Sequence, residues 1–402
     1  MAQTRTITAK KLAAIGVLDI ASRAVHKVWN PPPPRPGPPR SFLVVEPWGI
    51  GDVVLSTSLM RALRANFPGA SITLLAKSYA KDLLAGSGLV DDIIVFDFPW
   101  TAFTGKFKRS RYVPKQFQTL IRRLRARDFD VSFDARRDIR SNLITYFAGA
   151  RRRIGYDFGG GAHLLTDVLP SGKQNDHKTA DWLNLLAPLG VSSSTHYAPK
   201  LRVSEGERAN ARHRIRMLGL STEHTLVGVH AGASHPVRRW GTERFAAVIE
   251  RLQADTDAQV VVLEEKEENV APISAANGWS NAFNAPRIQS TLRGFMALVT
   301  QCDVLLCSDS GPMHVANALD VPVTALFGPQ RQEWYGPRGA LDRVVQIDDV
   351  SCRPCFDSCI FATPHCMEAI TPAAVFEALR GQLADVRSRR ADVAGLQMTG
   401  QI

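Results

Sequence analysis

The feature that most constrains this chain is an alternation of short apolar runs with helix-length amphipathic stretches, repeated in two cycles. Residues 42–45, 71–75, 93–96 and 131–133 read as strands, and residues 53–66 and 116–127 as helices between them. A second cycle opens at residues 226–230 and continues through 260–263, 281–284, 304–306 and 323–326. Each cycle implies βαβ units and a parallel sheet. The expected class is therefore α/β: two Rossmann-like domains whose parallel sheets face each other across a cleft. The polar stretch 192–223 holds the crossover, which gives domains at 41–205 and 206–402 after a distinct segment at 1–40.

At 402 residues the chain exceeds one typical core, in keeping with two domains. Its net charge of +11 points to anionic partners. The arginines are not interleaved with aromatics as in a nucleic-acid module, so nucleic acid is not among the expected partners. No apolar run reaches the roughly 18–20 residues of a spanning helix, and the N-terminus lacks a secretory signal. The expected location is cytoplasmic, with association at the inner membrane surface through the first segment. There Leu12, Ile15, Leu18, Val25 and Trp29 recur at helical spacing, with Lys10, Lys11, Arg23 and Lys27 mostly on other faces. A helix docked on the body is the competing reading. Residues 30–39, rich in proline, form an extended tether.

Several strand-end loops carry chemistry. The stretch from Asp309 through Ser310, Gly311 and Pro312 to His314 lies where a strand hands over to a helix, and unpaired N–H groups of a first helical turn suit phosphate. The first strand ends in Gly49-Ile50-Gly51-Asp52, whose glycines allow close backbone approach. Asp52 is either a helix N-cap or a carboxylate able to take a proton. The second half opens on His230-Ala231-Gly232-Ala233-Ser234, followed by Arg238, Arg239 and Trp240. A small-residue loop followed by paired arginines suits a diphosphate, with Trp240 anchoring the loop. Glu264 and Glu265 end the next strand, where a carboxylate accepts ribose hydroxyls or merely opens a solvated helix. Arg136, Arg137 and Arg140 follow the strand ending at Asp134, either to bind phosphates and sugar carboxylates or to form a solvated face.

Taken together these segments resemble glycosyltransferase family 9, the bacterial heptosyltransferases of lipopolysaccharide core assembly. The resemblance runs from residue 41 to about residue 380. It implies a GT-B fold and inverting transfer of a heptose, or a related sugar, from an ADP-sugar to a lipid-linked saccharide. It implies Asp52 as general base, Arg238 as diphosphate contact where the family usually has lysine, and the Asp309 loop as donor-phosphate cradle. Ala233, Ser234, Arg239, Glu265, Ser310, Gly311 and His314 join the donor side; Gly49, Gly51 and the three arginines after Asp134 join the acceptor side. No Asp-x-Asp motif occurs in these segments, so no cofactor is expected to be required for catalysis. An epimerase of nucleotide sugars, or a silent nucleotide-sugar-binding scaffold, are the alternatives on the same fold.

Four of the six cysteines cluster as Cys352, Cys355, Cys359 and Cys366. Four thiolates at this spacing suit a structural zinc, and a set of unmetallated thiols is the alternative. The cluster's place beyond the donor loops sets it apart from the chemistry.

Overall fold

The computed structural model describes residues 9–28, 30–101, 110, 112–170, 177–192, 197–265 and 283–398. These form two compact units, Met1–Lys81 with Ser87–Ala198, and Asp82–Gly86 with Pro199–Ile402. The first contains strands β1 (Ser41–Val45), β2 (Ser71–Ala76), β3 (Asp92–Val95), β4 (Val131–Asp134), β5 (Arg152–Tyr156) and β6 (Asp167–Leu169). They form one sheet in the order β3-β2-β1-β4-β5-β6, and every pair is parallel. The second contains β7 (Leu226–His230), β8 (Gln259–Glu265), β9 (Arg287–Ser290), β10 (Val304–Ser308), β11 (Val323–Phe327) and β12 (Arg343–Gln346). Its order, β12-β11-β10-β7-β8-β9, repeats the topology of the first, again all parallel.

The central strands are buried on both faces, which is why they read as unbroken apolar runs. Phe42, Leu43, Val44 and Val45 are fully buried in β1, as are Val304, Leu305 and Leu306 in β10. In the first unit Leu43, Val45, Leu75 and Ile94 pack with Leu120, Leu124 and Phe129. In the second, Val227, Val229, Val260, Val262 and Leu306 pack with Phe245 and Ile249 of one helix and Phe376 and Leu379 of another. Each such side chain contributes on the order of 1.5–3 kcal/mol by leaving water.

Both sheets reverse their winding beside their first strand. Strands β2 and β3 build outward from β1 on one side, and β4 returns to its other side, with Val44 in register with Phe133. Likewise β10 returns beside β7, with Cys307 in register with His230. Open α/β sheets bind ligands outside the carboxyl ends of strands at this kind of reversal. The loops singled out in the sequence are the ones that follow β1, β4, β7 and β10.

The expected strand at 281–284 is not found there: residues 281 and 282 lie outside the described residues, and the sheet's edge strand is Arg287–Ser290. Three further strands, β5, β6 and β12, complete the sheets.

The helix Ala9–Val28 docks on the first unit through polar groups. Asp19 Oδ1 accepts the Gly161 N–H at 2.9 Å, Ser22 Oγ meets His163 Nε2 at 3.0 Å, and His26 Nδ1 meets Tyr146 Oη at 3.2 Å. Val17 and Ile20 point outward, 67% and 72% exposed. Trp29 and the side chains of Leu12, Ile15, Val25, Lys10, Lys11 and Lys27 lie outside the described residues. The proline-rich stretch is a strap rather than a free tether. Arg35 pairs with Asp128 and, at 2.8 Å, with Asp130, while Arg151 donates to the Pro33 carbonyl at 3.0 Å.

Candidate active site

In the first unit, β1 runs through Glu46-Pro47-Trp48 into the helix Ile50–Asn66. Gly49, in extended conformation, occupies the cap position and has no side chain to cap with. Asp52 is thus the third helical residue and not the N-cap. Its Oδ2 folds back to accept the Gly49 N–H at 3.1 Å, the reciprocal half of a capping box. Its Oδ1 accepts from Arg136 Nη1 at 2.8 Å.

Arg136 arrives from the loop after β4, across the reversal of the sheet. Asp134, the last residue of β4, accepts the Arg136 backbone N–H at 2.8 Å and so fixes where that arginine leaves the strand. Its guanidinium lies 5.4 Å from the centre of the Trp48 ring. A third carboxylate, Glu46, accepts the Trp48 N–H at 3.0 Å and sits 3.3 Å from the same Arg136 Nη1. Tyr79 donates its hydroxyl to the Trp48 carbonyl and closes the turn.

Three carboxylates therefore gather at Arg136, Asp52 and Glu46 at its guanidinium and Asp134 at its backbone N–H, and they differ in exposure. Glu46 and Asp134 are 0% and 1% exposed, whereas the Asp52 side chain keeps 24% of its surface. Burial pushes Glu46 up to about 8 against the pull of Arg136, and burial pushes Asp134 up to about 7 although the Arg136 N–H holds its anion. Of the three, Asp52 is the carboxylate that a molecule outside the protein can touch.

The next arginines are held differently. Arg137 adopts a left-handed backbone, φ 57°, and its carbonyl fills the space beside Gly159, where a Cβ would lie 1.8 Å away. Its guanidinium lies 4.5 Å from the Tyr156 ring centre and 3.0 Å from Asp181, whose other oxygen takes Lys178 Nζ at 2.6 Å. Burial lowers the Lys178 pKa. Arg140 pairs with Asp138, the cap of the helix Ile139–Phe147, and lies 5.2 Å from the Trp100 ring centre. The three arginines thus form a file of cations braced by carboxylates and aromatic rings, with Lys178 as a member that sequence reading missed. Lys178 is 41 residues and several elements from Arg137 along the chain, so no spacing revealed it.

In the second unit, β7 leads into a loop in which Ala231 and Ala233 are buried and Ser234 is exposed. Pro236–Arg238 makes one tight 3-10 turn, and Trp240 anchors it by donating to the Ile370 carbonyl at 2.9 Å. Arg239 Nε donates to the Ala233 carbonyl at 3.0 Å, tying the arginine pair to the small-residue loop. Arg238 Nη1 approaches Asp309 Oδ2 at 3.3 Å, joining the loops after β7 and β10. Its Nε and Nη2 each donate to Asp357 at 2.7 Å. Burial works against this charge, yet Asp309 and Asp357 raise the Arg238 pKa above its ordinary value.

Ser310 caps the helix Gly311–Ala318 with extended backbone, but its hydroxyl turns back to the Ser308 carbonyl at 3.1 Å. No side-chain cap bond covers this helix start, the arrangement that suits an anion at the first-turn amides. His314 is buried in that first turn. Glu264 is buried and pairs with Arg287 at 3.0 Å, so it is neither solvated nor at a helix start. Glu265 ends β8 in register with Ser290, and its side chain lies outside the described residues.

Cys352, Cys355, Cys359 and Cys366 are free thiols. Burial pushes Cys366 up to about 11 and raises Cys355 as well. Among the described residues no group of three or more His, Cys, Asp or Glu side chains is disposed to hold a metal ion. The segment is not remote from the donor loops: Asp357, between Cys355 and Cys359, is the residue that grips Arg238.

Comparison with known proteins agrees with this architecture. The sequence profile of "Glycosyltransferase family 9 (heptosyltransferase)" matches residues 117–363, which include the loops bearing Arg136, Arg238 and Asp309. Lipopolysaccharide heptosyltransferase 2 of Escherichia coli K12 is 27% identical over 318 residues, 76% of this chain and 88% of the relative. The solved structure of the E. coli ADP-heptose lipopolysaccharide heptosyltransferase II superposes with TM-score 0.65 at 25% identity, covering 86% of this chain and 99% of that one. A family 9 glycosyltransferase from Veillonella parvula shares the fold with TM-score 0.71 at 22% identity, covering 86% and 98%. With two doubly wound parallel sheets of GT-B type and a family match over more than half its length, the chain belongs to glycosyltransferase family 9 and is a glycosyltransferase.

Proposed function

We propose that this enzyme moves a heptose from ADP-heptose, with inversion at the anomeric carbon, onto a saccharide of the lipopolysaccharide core. The sugar and the acceptor class are supported by the relatives, which are named as lipopolysaccharide or lipooligosaccharide heptosyltransferases. The nucleotide is supported by the E. coli structure named for ADP-heptose.

One observation carries the mechanism: Asp52 alone among three clustered carboxylates is open to an outside molecule, and both its oxygens are aligned, by the Gly49 N–H and by Arg136. An acceptor hydroxyl is a poor nucleophile until a positioned base takes its proton during attack. Asp52 takes that proton as the hydroxyl oxygen bonds to the anomeric carbon and the bond to the diphosphate breaks on the opposite face. The diphosphate leaves with added negative charge. Arg238, Arg239, the backbone of Ala233 and Ser234, and the N-terminal amides of the helix Gly311–Ala318 are the groups that stabilise it. Two N–H bonds of Arg238 are committed to Asp357 and a third faces Asp309, so it meets the diphosphate with the remaining edge of its fork. Arg137, Arg140 and Lys178 receive the acid groups of the acceptor.

The lipid-linked acceptor places the reaction at a membrane surface. No described helix is long and apolar enough to cross a membrane. The outward Val17, Leu18 and Ile20, with Arg23 beside them, give the helix Ala9–Val28 an apolar and basic outer face suited to an anionic interface.

Acceptor-dependent release of ADP from ADP-heptose, with the anomeric configuration of the product read by NMR, tests the reading. Release without an acceptor, or retention of configuration, contradicts it.

A further inference from the structure

Glu46 directly follows β1 with none of its side chain exposed, and the transfer step above does not use it. Removing a carboxylate from water costs several kcal/mol unless it is well paired, and an apolar residue closes a strand end without that cost. Its pairing is specific. One oxygen accepts the Trp48 N–H at 3.0 Å, and the other lies 3.3 Å from Arg136 Nη1, the nitrogen that also donates to Asp52 at 2.8 Å. A buried carboxylate and an accessible one thus share one nitrogen of one guanidinium. Arg136 has little freedom to choose otherwise, since Asp134 holds its backbone N–H and the Trp48 ring lies beside its guanidinium.

We infer that Glu46 is a positioning residue of the transfer reaction: through the guanidinium of Arg136, which it shares with Asp52, it sets the orientation of the catalytic carboxylate and its share of the guanidinium's charge. This rests on Asp52 being the base. The charged and titratable groups that bear most on Glu46 are Arg136, Asp52, Asp134 and the Tyr79 phenol. Burial holds the Glu46 proton until about pH 8, so at neutral pH the positive charge of Arg136 goes mainly to Asp52. Once Glu46 ionises, the two carboxylates divide that charge, and Asp52 competes better for the acceptor proton.

The test is kcat of the full chain with ADP-heptose and a lipopolysaccharide core oligosaccharide, from about pH 6 to about pH 9.5, for the natural enzyme, Glu46→Gln, Arg136→Met and the double variant. The natural enzyme and Glu46→Gln should agree below about pH 7. Above it the natural rate should rise severalfold and the Gln variant should lack the part of the rise that tracks Glu46, with KM for ADP-heptose unchanged. In the Arg136→Met background, Glu46→Gln should change nothing further. Parallel profiles at every pH, or an undiminished effect of Glu46→Gln without the arginine, would overturn the inference. Circular dichroism and a thermal unfolding transition of natural amplitude confirm that each variant is folded, the first unit included, which ADP binding at the second unit would not report. Should the Gln variant not fold, Glu46→Asp keeps the acid but shortens its reach to Arg136, and an unchanged profile for it would be equally decisive. Asp52→Asn, run in parallel, separates the two ideas: near-normal turnover there overturns the base, whereas loss there with an unaltered Glu46→Gln profile overturns only the role of Glu46.

Discussion

Arg238 closes both prongs of its guanidinium on Asp357, 2.7 Å at each, and thereby ties the cysteine-bearing segment to the loops after β7 and β10. Phe356 and Asp357 both adopt left-handed backbone, φ 52° and 64°, and Phe356 stacks on Trp334 with ring centres 5.9 Å apart. Two non-glycine residues in that region cost on the order of 1–3 kcal/mol each, which the surrounding contacts must offset. The pair of arginine and aspartate is part of what holds the turn in place.

If Arg238 serves the diphosphate, Arg238→Ala should weaken ADP binding by about 1–3 kcal/mol, the loss of one charge-assisted pair. Asp357→Ala should lower the melting temperature, because it leaves a mostly buried guanidinium facing Asp309 alone. Calorimetry with unchanged ADP affinity for Arg238→Ala would remove that residue from the donor site.

Gly159 should tolerate no side chain. At φ 89° an added Cβ would lie 1.8 Å from the Arg137 carbonyl, so Gly159→Ala must move either the loop or the arginine. A drop in melting temperature is expected, together with a raised KM for the acceptor and an unchanged ADP affinity. Wild-type stability in that variant would contradict the close approach of the Arg137 carbonyl to Gly159.

Stability should also depend on Glu46 in a defined direction. Its folded-state pKa, about 8, lies above the ordinary carboxylate value of 4.5, so between these the folded chain holds a proton that the unfolded chain has released. The contribution to folding is most favourable below about pH 4.5 and is lost as pH rises toward 8. Glu46→Gln cannot ionise, so its melting temperature should gain on that of the natural chain across this window. A constant difference between the two would contradict the assignment.

The outer face of the first helix gives a separate test. Val17→Asp with Ile20→Asp should reduce cosedimentation with anionic vesicles and leave the melting temperature nearly unchanged, since both residues point outward. Removing residues 1–40 should instead destabilise the first unit, because Asp19, Ser22, His26 and Arg35 all bond to it. Vesicle binding by the double variant equal to that of the natural chain would refute the membrane face.

The sheets were legible where burial on both faces forced unbroken apolar runs, as in Phe42–Val45 and Val304–Leu306. The edges were not. Edge strand β6 is three residues long with Val168 47% exposed, and edge strand β12 is half-buried throughout; β5, an inner strand buried in all but Arg152, opens on two arginines that mask its apolar run. The four site loops were legible because glycine, acid and arginine gather at strand ends. Their partners were harder to see. Glu46 and Asp357 carry no local sequence signal, since their roles arise from contacts with Arg136 and Arg238 that lie 90 and 119 residues away. Capping also misled: Asp52 has the residue type of an N-cap, yet Gly49 takes the cap and frees the aspartate to bond Arg136.

The measurement that bears most directly on the account is turnover by Asp52→Asn with ADP-heptose and a lipopolysaccharide core acceptor. Asparagine keeps the shape of the side chain and an oxygen for Arg136, but it takes no proton during attack. The account predicts a fall in kcat of about 10²–10⁴-fold, typical of general-base loss, with ADP affinity unchanged. Turnover within a few fold of the natural enzyme would contradict it.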